Sequence, residues 1–281
     1  MSYAPTVTVL MSVYNGQTYL REAIKSILNQ TFTDFEFVII NDGSSDETGQ
    51  ILASYRDPRL KLINNGQNLG LTRSLNRGIR ASSGRFIARQ DADDASLPER
   101  LGQQVHYLAA HPEVGLVGCG SRWIDGRDTV IREWTPAGDP VEIQQQLLAS
   151  IPFLHGTFMF RRACLAEAGG GYNKNKLVAQ DCDLLLRISE RWELANLPDI
   201  LYVHRRHEAT ITASRGAEQE RQLQHSRRAA IRRRLGYGWD RLWGASGRLP
   251  LWVAAADRRW LAQRYVWWSA AARMVDKPAA L

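Results

Sequence analysis

The amino-acid sequence predicts an α/β protein: a mostly parallel mixed sheet flanked by helices, followed by a basic helical appendage. Through the first 120 residues, short apolar, β-branched runs alternate with segments of helical period. That order builds a parallel sheet through right-handed crossovers. Two of the apolar runs end in acids, Asp42 and Asp91, and the carboxyl ends of strands are where open α/β sheets bind ligands. The last quarter of the chain changes character, becoming helical in period and rich in arginine.

Residues 6–13 read as the first strand, and residues 18–30 as a helix with Leu20, Ile24, Ile27 and Leu28 on one face. Residues 35–40 form the second strand. Ser44 and Glu47 then stand at capping-box spacing for a helix running to about Tyr55. Residues 60–63 give a short strand, 72–81 a helix, 85–88 a strand, 97–110 a helix with Pro98 in its first turn, and 114–119 a strand. After Gly120 the rhythm loosens to strands at 157–161 and 200–204, a helix at 181–191, and helical pattern from Gly216 onward.

At 281 residues and 44% hydrophobic, the chain has ample material for a core. The organisation expected is a catalytic domain over residues 1–210 and an extension over 211–281. The longest apolar stretch, 249–256, falls far short of the roughly 18 residues of a membrane span. The N-terminus enters a strand directly, with no basic region or cleavage site. Cys119, Cys164 and Cys182 have no metal-ligand spacing and read as reduced thiols. A cytoplasmic location follows, with peripheral contact at the inner membrane face as an option for the extension. Basic residues outnumber acidic ones by 16 to 6 from Arg205 onward, against 20 to 23 before it. Arg227, Arg228 and Arg232 to Arg234 come with no recognition fold, so nucleic acid is not the expected partner.

No glycine-rich dinucleotide or P-loop motif follows any strand. After the first strand stand Ser12, Tyr14 and Asn15, where the aromatic ring can lie against a base. After the second comes Asp42, a carboxylate able to accept from a base N–H; plain turn chemistry explains both segments equally. Asp91, Asp93 and Asp94 crowd one strand end, and their repulsion calls for a cation or protonation. Mg²⁺ is typically held by one or two carboxylates together with substrate phosphates. Alternatively, Asp94 or Ser96 caps the helix that follows.

Residues 9–15, 39–46 and 68–78, Asp91-Ala92-Asp93-Asp94, and Gln180-Asp181-Cys182-Asp183-Leu184 together resemble the ordered motifs of family 2 inverting glycosyltransferases with the Rossmann-like GT-A fold. The resemblance spans about residues 5–210. It implies that Asp42 holds the base with Tyr14 near it, that Asp91 contacts the ribose, and that Arg73 lies near the nucleotide. It also implies that Asp93 is the principal ligand of Mg²⁺ or Mn²⁺. Ser12 stands where the family often has Pro, and Gln180 where it often has Glu.

Transfer from a nucleotide sugar, UDP-linked by expectation, needs a base on the sugar face opposite the leaving diphosphate. The resemblance gives that role to Asp181; helix capping is the plain alternative, and Asp183 reads as structural. His155 and His207 fall where related enzymes tend to have a histidine; each is a candidate contact to acceptor or diphosphate, with a hydrogen-bonded structural role as the plain alternative. The expected acceptor is a glycan or lipid-linked hydroxyl. Six tryptophans after Gly238, interleaved with arginines, suit a membrane interface, an acceptor surface, or a helical core or homodimer contact. A sugar nucleotidyltransferase and a catalytically inactive GT-A scaffold are the rival readings. The first is disfavoured because residues 12–18 lack Arg and Lys.

Overall fold

A computed structural model describes residues 4–147, 151–207 and 211–235. The tryptophan- and arginine-rich stretch after residue 235, to which the membrane and dimer expectations attach, lies outside them. The first half alternates as the sequence predicts: β1 (Val7–Val13), α1 (Leu20–Leu28), β2 (Phe35–Asn41), α2 (Thr48–Ala53), β3 (Leu60–Asn64), α3 (Leu71–Ala81) and β4 (Phe86–Gln90). Then follow β5 (Ala95–Ser96), α4 (Arg100–Ala110), β6 (Val114–Ile124), β7 (Val130–Trp134) and α5 (Pro140–Gln146). A 3₁₀ turn (His155–Thr157), β8 (Met159–Arg161), α6 (Arg162–Glu167), α7 (Gln180–Ile188), β9 (Glu193–Arg205) and α8 (Ile211–Leu235) complete it.

The strands lie in the order β3-β2-β1-β4-β8-β6-β9-β5, with β7 added beside β6. From β3 to β4 all pairings are parallel. Beyond β4 the sheet is mixed: β8 runs antiparallel to β4 and β6, while β9 is parallel to β6 and antiparallel to β5.

Alternation along the buried strands sends successive side chains to opposite faces. Leu10, Val38, Ile40 and Ile87 pack with Leu75 and Ile79 of α3 and with Leu184 and Leu185 of α7. Val9, Met11, Phe37, Ile39 and Ala88 pack with Leu20 and Ile24 of α1, Ile51 of α2 and Leu101 of α4. The site therefore rests on a core with helices on both faces. α8 lies on α7: its Ala230 joins the first core, Lys176 Nζ donates to Gln222 Oε1 at 2.9 Å, and Arg233 pairs with Glu190 at 2.6 Å.

Several local expectations are corrected. Ser44 and Glu47 form no capping box. The Ser44 hydroxyl accepts from Asn15 N (3.0 Å), and Asp46 Oδ1 receives Thr48 N (3.0 Å) at the start of α2. The helix expected from residue 97 begins at Arg100, because Leu97 N donates to Leu201 O and draws the segment alongside β9. Neither Asp94 nor Ser96 caps it: Asp94 turns to the end of β9 and Ser96 to Gln90. The strands expected at 114–119 and 200–204 are longer, and β5, β7, α5 and α6 were not foreseen.

Candidate active site

Register aligns the functional residues at one sheet edge. β1 and β2 pair Val13 with Asn41, and β1 and β4 pair Met11 with Gln90, so Tyr14, Asp42 and Asp91 leave their strands at the same end. Asp42 N donates to Val13 O at 2.8 Å, which stitches the first two turns together. Asn15 takes a positive φ of 49° there, a conformation Asn tolerates better than most residues. Tyr14 is 51% exposed, a free aromatic face beside the turn. Ser12 lies half-buried in β1 opposite Ile40.

Asp42 is buried, and its carboxylate already has work. Oδ1 accepts from Asn65 Nδ2 (2.6 Å) and Leu69 N (2.9 Å), and Oδ2 from Gly70 N (2.9 Å). Gly70 has φ +85°, which an L side chain rarely adopts, and α3 starts directly after it. The acid thus sets where α3 begins and where the exposed Arg73 of its first turn stands.

The acidic loop after β4 is held from three sides. Arg89, fully buried, places Nη2 2.5 Å from Asp91 Oδ1, and Asp91 N donates to Tyr202 Oη at 3.2 Å. Burial opposes ionisation of Asp91, but the Arg89 guanidinium beside it holds its carboxyl below the usual range. Asp93 Oδ2 lies 2.9 Å from His207 Nε2. Asp94 accepts Arg205 N at Oδ1 (2.8 Å) and meets His204 Nδ1 at Oδ2 (3.2 Å). Burial pushes Asp94 up to about 6 despite that contact. The Asp93 carboxylate pushes His207 up, whereas for His204 burial works downward and is outweighed only by the Asp94 hydrogen bond together with the charges of Asp94, Asp91 and Asp93. Under the loop, the buried Arg100 donates to Gln90 Oε1, Ser96 Oγ and Arg89 O, with its guanidinium 5.1 Å from the Tyr202 ring centre.

Asp181 sits half-buried in the first turn of α7. The residue before the helix, Ala179, is left-handed (φ 53°), and no side chain caps this end, so the capping alternative for Asp181 does not hold. Asp183 does have a structural role: Oδ2 accepts from Arg187 Nε at 2.9 Å within α7, and Arg187 continues to Gly171 O. His155 and Tyr172 are joined at 2.8 Å between Nε2 and Oη. The charges of Asp181 and Asp91 act on both rings. Burial first, then Arg89, pushes His155 down to about 4, so it is neutral at pH 7. Gly156 packs so closely that a Cβ would lie 2.0 Å from Tyr202 Oη, the group that holds Asp91 N.

The sequence singles out Asp42, Asp91, Asp93, Asp181, His155 and His207 as candidates; Arg89, Arg100, Tyr172, Tyr202, His204 and Arg205, which surround them in the structure, were not singled out. One signal was available: an arginine inside an apolar strand run is unusual enough to need a partner. Among the described residues no group of three or more His, Cys, Asp and Glu is arranged to hold a metal. Asp93 nevertheless fits a hard cation that completes its shell with diphosphate oxygens. Its side chain is 36% exposed, and among the described residues only Oδ2 has a hydrogen-bond partner. Cys119, Cys164 and Cys182 are buried free thiols. No described helix is long and apolar enough to cross a membrane.

The mixed sheet with helices on both faces resembles the GT-A fold of glycosyltransferases. The family model described as "Glycosyl transferase family 2" matches residues 8–169. The chain belongs to that family. It is 34% identical over 207 residues to the putative glycosyltransferase EpsE of Bacillus subtilis, covering 72% of this chain and 73% of that one. It is 32% identical over 214 residues to the amylovoran biosynthesis glycosyltransferase AmsE of Erwinia amylovora, covering 74% and 79%. Among solved structures it resembles residues 1–349 of S. aureus TarS in complex with UDP-GlcNAc (TM-score 0.67, 20% identity). That match spans 81% of this chain and 66%, just under two thirds, of the other. It also resembles a mannosyltransferase of Pyrobaculum calidifontis in complex with GDP-Man and Mn²⁺ (TM-score 0.62, 21% identity), covering 98% and 86%. At these identities the likeness shows the fold alone.

Proposed function

We propose that this glycosyltransferase moves a sugar from a UDP-linked donor to a hydroxyl of a glycan or lipid-linked acceptor, with inversion at the anomeric carbon. The observation that carries the reading is that the charges of Asp91 and Asp181 both reach the His155–Tyr172 pair. The TarS complex with UDP-GlcNAc supports the choice of base, and the AmsE relationship supports a polysaccharide acceptor.

Tyr14 and Asp42 would hold the base, Arg73 would lie by the nucleotide, and Asp91 would accept from the ribose. Asp93 would hold Mg²⁺ or Mn²⁺, with His207 beside it at the diphosphate. Such an ion supplies electrostatic stabilisation of the departing diphosphate. Asp181 accepts the proton of the acceptor hydroxyl as its oxygen bonds to the anomeric carbon, and the diphosphate leaves with the bonding electron pair. Neutral His155 is available to hydrogen-bond sugar or acceptor without adding charge.

A thermal-shift screen of nucleotides and nucleotide sugars with and without Mn²⁺ tests the reading, since a ligand of the folded state raises Tm. UDP-sugars are expected to stabilise, and more strongly with Mn²⁺. Asp93→Ala is expected to remove the Mn²⁺-dependent part. A screen without a responding nucleotide sugar overturns the donor assignment.

A further inference from the structure

Arg89 is fully buried in β4, where alternation places it on the face of Ile87, Phe158 and Leu184. Desolvating a guanidinium costs several kcal/mol, and a buried ion pair is often no better for stability than well-packed apolar residues. Stability alone is therefore a weak reason for this cation. Its donors go to Leu10 O (3.2 Å), to Gln90 O, and to Asp91 Oδ1 (2.5 Å), while Nε has no partner. Asp91 is the one side chain the guanidinium grips. Among the described residues that grip engages Oδ1 and no hydrogen bond goes to Asp91 Oδ2, on a side chain 28% exposed.

We propose that Arg89 is a positioning residue that locks the Asp91 carboxylate by one oxygen, so that the other is presented to a ribose hydroxyl of the donor nucleotide. The proposal rests on the reading of Asp91 given above. Two further contacts complete the lock: Tyr202 Oη holds the Asp91 main chain, and Arg100 holds the carbonyl of Arg89 itself at 2.6 Å. The carboxylate is thereby fixed at both main chain and side chain before nucleotide arrives, a preorganised acceptor.

The test is calorimetric titration of the full-length chain with UDP and GDP in Mn²⁺, then with the 2′-deoxy and 3′-deoxy forms of whichever binds. Wild type, Asp91→Asn, Arg89→Met and Arg89→Lys are compared. Wild type is expected to prefer the ribo form roughly tenfold or more over one deoxy form, as a hydrogen bond to a charged group allows. Asp91→Asn and Arg89→Met are expected to bind the ribo and deoxy forms alike. Arg89→Lys, which keeps charge but not the fork, should fall between. A mutation that merely loosens the protein weakens both ligands together and leaves the ratio unmoved.

If Arg89→Met or Arg89→Lys keeps the wild-type ratio while Asp91→Asn loses it, the lock is refuted and the reading of Asp91 stands. If Asp91→Asn keeps the ratio, or wild type binds neither diphosphate, the reading itself fails and takes the lock with it. Failure of both Arg89 variants to fold, judged by circular dichroism and Tm, assigns Arg89 to stability and refutes the proposal.

Discussion

The two halves of this molecule place their functional groups by different means. From β1 to β4 each candidate residue follows a strand that pairs in parallel with its neighbour, so register alone brings Tyr14, Asp42 and Asp91 to one edge. Past β4 the sheet turns mixed, and residues meet by long return: His204 reaches Asp94 across 110 positions and Tyr202 reaches Asp91 across 111. The first arrangement is written locally and repeats a simple unit. The second exists only once the whole domain has closed. Contacts of the first kind should therefore tolerate change one at a time, whereas changes to contacts of the second kind should more often unsettle the fold.

Asp181→Asn breaks the comparison most sharply. Transfer is expected to fall roughly 10²–10⁴-fold, the usual worth of a positioned general base, with donor affinity unchanged by calorimetry. Near-normal turnover would remove Asp181 as the base.

Next in size is the acid response of His155. Its folded pKa, about 4, lies below its ordinary 6.5, so between those values the unfolded chain binds more protons. Stability is fully present above pH 6.5 and is lost as pH falls toward 4, by up to about 3 kcal/mol. His155→Gln should flatten that part of a Tm-against-pH curve, and an unchanged slope would place the acid sensitivity elsewhere.

Arg205→Ala should cost roughly 2 kcal/mol. Its guanidinium leaves Glu22, Asp128 and the Tyr19 ring, but those two acids are exposed and can return to water. Chemical denaturation measures this loss, and a change under about 0.5 kcal/mol, the ordinary range for surface sites, would show that the end of β9 does not tie the halves together. The smallest effect separates two neighbours in the turn after β2. Asp46→Ala should lose about 1 kcal/mol as a helix-start acceptor. Ser44→Ala should lose less, because it serves Asn15 in the facing turn. The reverse order would restore the capping-box reading.

How much was legible follows the same division. Alternating apolar runs sufficed for β1 to β4, because a doubly covered parallel strand needs little besides β-branched apolar residues. The edge acids stood out as charges at the ends of such runs. The 3₁₀ turn at His155, the β8 pairing and the length of β9 were not legible, because Gly118, Gly120 and Gly156 are there for close packing against Asn196, Asp199 and Tyr202. No local pattern announces those partners. Arg89 hid differently, as a polar letter in an apolar word, and its meaning came only from the loop two residues on.

The segment His204-Arg205-Arg206-His207 joins Asp93 and Asp94 to α1 through Glu22 and to the β6–β7 turn through Asp128. During synthesis this fixes an order. A ribosome that has released Asp94 but not yet Arg205 has made the acids without the groups that hold them. The nascent chain therefore carries Asp93 and Asp94 without these partners until the closing strand has been made.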